Sequence, residues 1–186
     1  MDSPFRHKID EIYEQKRSTK IRWKKTIDFL AEFPSGKLGL DIGDRTKLTN
    51  QCEEYFGVPF ENTDIDLDEQ SLDGTFDIIT SFEVVEHLFN PLFHLKQAHQ
   101  SLKDSGRLYL SMPSFKPRIL QSSNHFHEMT RPSMEALFQR AGFEILRESN
   151  FRIRPFWYYF TGFRPFLRGF YEKIVIFELA KQSEKS

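Results

Sequence analysis

At 186 residues the chain is long enough for one domain with a single core and too short for two full ones. A composition of 39% hydrophobic and 28% charged residues is that of an ordinary globular chain, and the net charge of -1 argues against a general nucleic-acid binder. Cys52 is the only cysteine, which excludes an intramolecular disulfide and, with a charged Met1–Lys25 that lacks the apolar run of a signal peptide, sets the expectation of a cytoplasmic protein.

Met1–Phe33 reads as helical and mostly polar, with Ile9, Ile12, Tyr13, Ile21, Trp23, Ile27, Phe29 and Leu30 marking apolar faces, and Pro34-Ser35-Gly36 as its stop. A strand is expected over Lys37–Ile42, then a helix from about Leu48 to Phe56 closed by Gly57, and a strand within Val58–Asp66. An acidic stretch ending in the turn Asp73-Gly74 leads to a strand at Phe76–Ser81 and a helix interrupted by Asn90-Pro91 that resumes to about Lys103. Asp104-Ser105-Gly106 predicts a turn before a buried strand at Arg107–Met112, and Pro113–Arg131 a long loop rich in Ser, His and Pro. A helix over Pro132–Ala141, stopped by Gly142, precedes a strand at Phe143–Glu148. Asn150–Lys173 is aromatic and basic, Ile174–Ala180 is a last strand, and Lys181–Ser186 a frayed tail.

Strands alternating with helices indicate an α/β fold with a mostly parallel sheet, whose ligands sit beyond the carboxyl ends of the strands. Two such ends stand out: Leu40-Asp41-Ile42-Gly43, and Thr80-Ser81-Phe82-Glu83 with the following Glu86-His87. Only 33 residues separate Ile42 from Phe76. Two consecutive strand–helix–strand units take roughly 60, so one outer strand and its helix are expected to be missing.

In order and spacing, four segments resemble the class I S-adenosylmethionine-dependent methyltransferases, most closely the ubiquinone-biosynthesis group. They are Leu40-Asp41-Ile42-Gly43; Phe76-Asp77-Ile78-Ile79 with Glu83-Val84-Val85-Glu86-His87-Leu88; Leu102–Pro113; and Ala141-Gly142-Phe143-Glu144-Ile145. The resemblance covers about residues 37–148. It implies a shortened Rossmann-like three-layer sandwich of about six strands with the last antiparallel, an N-terminal helical extension over 1–36, a methyltransferase domain over 37–180 and a tail over 181–186. It further implies S-adenosylmethionine as cofactor and a small or lipid-like methyl acceptor. Asp41, Gly43, Asp64, Asp66, Ser81 and Phe82 would line the cofactor, Glu83 and His125 would face the acceptor, and His87 and His127 are the candidate proton carriers. A departure from the family pattern follows Gly43, where two further glycines are usual and Arg45 and Lys47 stand instead. A second functional reading is therefore a non-catalytic relative that uses the same crevice, or its aromatic surface, for binding.

Other residues carry open alternatives. His87 is a general base or a packing histidine. His125 and His127 would point the same way in an extended loop, for substrate contact or loop anchoring; with no third ligand identifiable, no metal is expected. The acidic run Asp64, Asp66 and Asp68 contacts ribose or adenine, or is a solvated turn. The rings of 151–171, interleaved with Arg152, Arg154, Arg164 and Arg168, either cover the sheet, form an apolar pocket or dimer face, or touch a membrane surface.

Overall fold

The computed structural model describes residues 15–31 and 36–183, so the expectations for Ile9, Ile12, Tyr13, Pro34, Ser35 and the last three residues lie outside the described part. In chain order the elements are α1 (Arg17–Phe29), β1 (Gly39–Asp41), α2 (Lys47–Phe56), β2 (Phe60–Asn62), β3 (Phe76–Phe82), α3 (Pro91–Ser101), β4 (Leu102–Pro113), α4 (Arg131–Ala141), β5 (Phe143–Phe151), α5 (Phe163–Tyr171) and β6 (Ile174–Lys181). Single 3-10 turns lie at Val85–His87, Arg118–Leu120 and Phe156–Phe160.

One six-stranded sheet runs in the order β2-β1-β3-β4-β6-β5. The first four of these strands are mutually parallel, and β6 enters antiparallel between β4 and β5. The expected α/β class and the reversed last strand are both present. Between β1 and β3 the chain builds only α2 and β2, leaving one strand outside β1.

Alternation along the strands divides the core into two layers. Ile78 and Tyr109 turn to one face, where they meet Trp23, Leu30, Leu48, Cys52 and Phe60 from α1, α2 and β2. Ile79, Leu108 and Leu110 turn to the other, against Leu95 and Ala98 of α3 and Met134 and Phe138 of α4. Period-2 strands covered by helices on both faces make the sandwich. Cys52, 1% exposed, is a small core residue.

Local departures from expectation have local causes. The strand expected within Val58–Asp66 shortens to three residues because Asn62 and Thr63 spend their side chains on the neighbouring loop. Asn62 Nδ2 donates to the carbonyls of Asp41 and Gly43, and Thr63 Oγ1 accepts from Gly43 N at 2.8 Å. After β3 there is no helix broken by Asn90-Pro91; that pair starts one. Asn90 Oδ1 caps α3 by accepting from Phe93 N at 3.1 Å, with Pro91 at the head of the helix. The Asp104–Gly106 turn lies inside β4 as a bulge, since Leu102 pairs with Phe76 and the next partner of β3 is Arg107, opposite Ile78. Finally, β5 continues to Phe151 because β6 offers partners along its length, and Lys181 is strand rather than tail, opposite Phe143.

Candidate functional site

The two strand tips named from sequence are neighbours. Asp41 lies opposite Thr80 in the parallel ladder, and Ile42 N donates to Thr80 O at 2.8 Å. Gly43, just past β1, has φ +117°, and a Cβ built there meets nothing within 4 Å. Gly43 thus borders open space at the carboxyl ends of β1 and β3, where ligands of open α/β sheets sit.

Asp41 is buried at its edge. Its carboxylate accepts from Thr49 Oγ1 at 2.5 Å and from Thr80 Oγ1 at 2.6 Å. Burial pushes its pKa up to about 6, against the lowering influence of those two bonds and of Asn62. Thr49 lies in the first turn of α2 and completes a capping box with Thr46. The acid therefore ties the tip of β1 to both β3 and the helix that follows. Thr49 and Thr80 were not singled out from sequence, because threonines in a strand and a helix carry no distinctive signal.

Arg45 turns back from the crevice. It pairs with Glu53 of α2 at 2.5 Å and donates to Phe60 O at 3.1 Å. Lys47 opens α2 on the exposed surface. Asp64, also exposed, lies two residues beyond β2, beside the Thr63–Gly43 bond. Asp66 Oδ1 accepts from Asp68 N at 3.0 Å, and Asp68 in turn accepts from Asn90 N at 2.7 Å and Phe89 N at 3.1 Å. The acidic run thus buttresses the segment after β3.

At the end of β3, Ser81 is fully buried, main chain included, with its hydroxyl 3.2 Å from His94 Nε2, so it stands behind the strand tip and does not face open space as expected from sequence. Phe82 is half-buried against the Trp23 and Tyr109 layer. Glu83 has φ +57°, a left-handed conformation that ends the strand and turns its carboxylate inward. There it accepts from Ser111 Oγ at 3.1 Å and lies 3.3 Å from Arg22 of α1.

Glu86, given no role from sequence, is 1% exposed, and neither carboxylate oxygen has a hydrogen-bond partner among the described residues. Burial, reinforced by the charge of Glu83, raises its pKa well above the usual carboxylate range. His87 Nδ1 lies 2.8 Å from Asn124 O, a carbonyl that can only accept, so that nitrogen carries a proton, and Nε2 lies 3.9 Å from Glu86 Oε1. The ring of His125 stands edge-on to that of His87 at 4.9 Å, with Nδ1 2.8 Å from Glu128 Oε1. Burial would raise the Glu128 carboxyl, but His125 and Lys116 together hold it below the usual range.

The loop does not run extended, so His125 and His127 do not act as a pair. His127 N and Phe126 N instead donate to Glu86 O and stitch the loop to the turn at Val85–His87. Other donors reach His125 from the turn at Val85–His87. One ligand atom each from Glu86, His87 and His125 lie within 4.8 Å of one another, a carboxylate and two imidazoles of the kind divalent cations take. Phe89 and Phe126, both exposed, stack at 4.2 Å beside this cluster.

A family model described as a methyltransferase domain matches residues 13–148. The ubiquinone biosynthesis O-methyltransferase of Pseudomonas aeruginosa is 24% identical over 135 residues, covering 62% of this chain and 58% of the relative. Its namesake in Nitrosococcus oceani is 22% identical over 136 residues, covering 63% and 58%. The chain thus spans little more than half the length of the curated relatives it matches. Among solved structures, the O-methyltransferase of a trans-AT polyketide synthase from Brevibacillus brevis, in complex with S-adenosyl-L-homocysteine, superposes with TM-score 0.64 at 16% identity, covering 90% of this chain and 74% of that one. The 1,6-didemethyltoxoflavin-N1-methyltransferase of Burkholderia thailandensis, with S-adenosylhomocysteine and 1,6-didemethyltoxoflavin bound, superposes with TM-score 0.63 at 14% identity over 93% and 82% of the two chains. At these identities the structural likeness speaks to the fold.

Proposed function

The chain belongs to the class I S-adenosylmethionine-dependent methyltransferase family, and from that premise we propose that it methylates a small or lipid-like acceptor at a crevice between Gly43 and Phe82. The observation that carries this reading is the open space at Gly43, flanked by the adjacent tips of β1 and β3.

The residues present fit the cofactor. A bare Gly43 admits a ligand against the main chain where any Cβ would intrude, and Arg45, paired with Glu53, keeps its charge away from a cationic sulfonium. Asp64 beyond β2 would accept from ribose hydroxyls, with Asp66 next to it, and the ring of Phe82 would form the opposite wall, backed by the buried Ser81. Asp41, its carboxylate held by two threonines, would serve by fixing the approach of Gly43. When bound, S-adenosylmethionine supplies a methyl group on an activated sulfonium, so positioning and desolvation carry much of the catalysis.

On the acceptor side, His87 Nε2 would take the proton of an acceptor hydroxyl, leaving the oxygen lone pair to attack. The bond from Nδ1 to Asn124 O would hold the ring in place as Nε2 receives that proton. Glu83 and His125 would orient the acceptor, and His127 would stand on the loop that covers it. The exposed Phe89–Phe126 stack supports an apolar, planar acceptor.

Calorimetric titration with S-adenosylmethionine and S-adenosylhomocysteine tests the reading. Micromolar binding of both supports it, and no heat at millimolar ligand removes it.

A further inference from the structure

The segment joining β5 to β6 is assembled inside out. None of the nine residues of α5 is buried. Phe163, Phe166 and Phe170 recur at i, i+3 and i+7 on one helix face, and they are 74%, 47% and 60% exposed. The preceding 3-10 turn adds Phe156, Trp157 and Phe160, all more than 60% exposed. The reading in which these rings cover the sheet is therefore not met; Tyr159 alone of the group is buried.

The rings are nonetheless held in place from beneath. Gly169 backs onto the Tyr159 ring, where a Cβ would come within 3.2 Å. Arg154 pairs with Glu172 at 3.0 Å, and Arg164 donates to Ile119 O at 2.8 Å. Charge on this side is predominantly positive: from Ser149 to Lys173 there are four arginines and one lysine against a single acid, Glu172. Glu172 is shared by Arg154 and Arg168. Arg152 and Arg164 bond only main-chain carbonyls, and the charged groups of Arg118 and Lys173 have no carboxylate partner among the described residues.

We propose that the Phe156–Tyr171 face is an interfacial anchor for an anionic lipid bilayer, with its rings at the acyl boundary and its arginines among headgroup phosphates. A bilayer complements both halves of the pattern, rings and cations together. A second copy of the chain would set these arginines against their own kind. No described helix is long and apolar enough to cross a membrane, so the contact lies on the surface. The anchor stands at the carboxyl ends of β3 and β4, because Phe151 and Pro113 both pair with Ile174 there. Seated on a bilayer, the crevice would open near the membrane plane, where a lipid-like acceptor resides. The anchoring itself does not depend on the methyl-transfer reading.

Flotation of the full chain with vesicles of phosphatidylcholine alone, or with about one-third phosphatidylglycerol, provides the test, alongside the fluorescence of exposed Trp157. The expected result is flotation with the anionic vesicles roughly tenfold above the neutral ones, weakening with salt, and a blue shift of the Trp157 emission. Phe163→Ser with Phe170→Ser should abolish it, as should Arg118→Glu with Lys173→Glu; Phe163, Phe170 and Arg118 are exposed and Lys173 is half-buried, and both variants should stay folded by circular dichroism. Failure of the unmodified chain to float with anionic vesicles overturns the proposal, as does flotation indifferent to both variants. A vesicle-free dimer dissolved by the serine variant would assign the face to a second copy, and release from vesicles by a short oligonucleotide would assign it to nucleic acid; either result overturns the bilayer.

Discussion

Arg45 folds back to pair with Glu53 at 2.5 Å, so the side chain that stands where the family pattern has glycine is anchored on α2 instead of filling the crevice. Breaking that pair should expose the cofactor to its charge. At about 8 Å and an effective dielectric of ~20 the repulsion of a sulfonium is roughly 2 kcal/mol. Arg45 is about half exposed, so solvent screening reduces this to about 1 kcal/mol. We expect Glu53→Gln, which keeps an acceptor for Phe60 N, to weaken S-adenosylmethionine about fivefold while leaving S-adenosylhomocysteine, with no sulfonium charge, nearly unchanged. Equal loss for both ligands would show that Arg45 stays clear of the sulfur.

Gly43 and Gly57 form a matched pair. Both have positive φ, +117° and +67°, and at both a built Cβ meets nothing within 4 Å. Alanine at either site should cost about 1–3 kcal/mol of stability through backbone strain. Only Gly43→Ala should also reduce cofactor affinity, by roughly tenfold or more. Thermal denaturation and calorimetry on the two variants separate strain from occlusion.

Asp64 is expected to act on the part of the ligand that both nucleosides share. Asp64→Asn should weaken S-adenosylmethionine and S-adenosylhomocysteine to the same extent, about tenfold. A selective loss of one ligand would place Asp64 near the sulfur and not at the ribose.

Two buried groups oppose each other with pH. Asp41 holds its proton up to about pH 6 when folded, against 3.8 ordinarily. Its contribution to stability is therefore largest in acid and declines as pH rises from about 4 through 6. Burial lowers the pKa of His94 from 6.5 to about 4, so its contribution is full above 6.5 and is lost as pH falls through that window. Each amounts to something on the order of 2–3 kcal/mol. The natural chain should show little slope from these two between pH 4 and 6. Asp41→Asn should make stability fall on acidification, and His94→Gln should make it rise, as followed by urea denaturation across that range.

Much of this molecule could be read before folding was considered. The strand tips at Asp41 and Ser81 were legible because apolar runs ending on Asp-x-Gly and on Glu-x-x-Glu-His have few alternatives in an α/β chain. The missing outer unit was legible from the 33-residue interval alone. What stayed hidden depended on partners remote in sequence. Nothing local says that Arg45 will choose Glu53, or that Thr49 and Thr80 will close on Asp41 from eight and 39 residues away. The cluster of Glu86, His87 and His125 was missed for the same reason, since its third member arrives on a loop whose path is set by bonds to Glu86 O. The aromatic segment misled because hydrophobicity predicts burial only where another surface is available, and the sheet was already covered.

The shortened fold also leaves Phe60–Asn62 as one rim of the sheet. Three residues offer a passing strand too few free amides to grip, and the opposite rim, β5, bristles with Glu144, Arg147 and Glu148. The chain has given up a peripheral unit without acquiring an adhesive border.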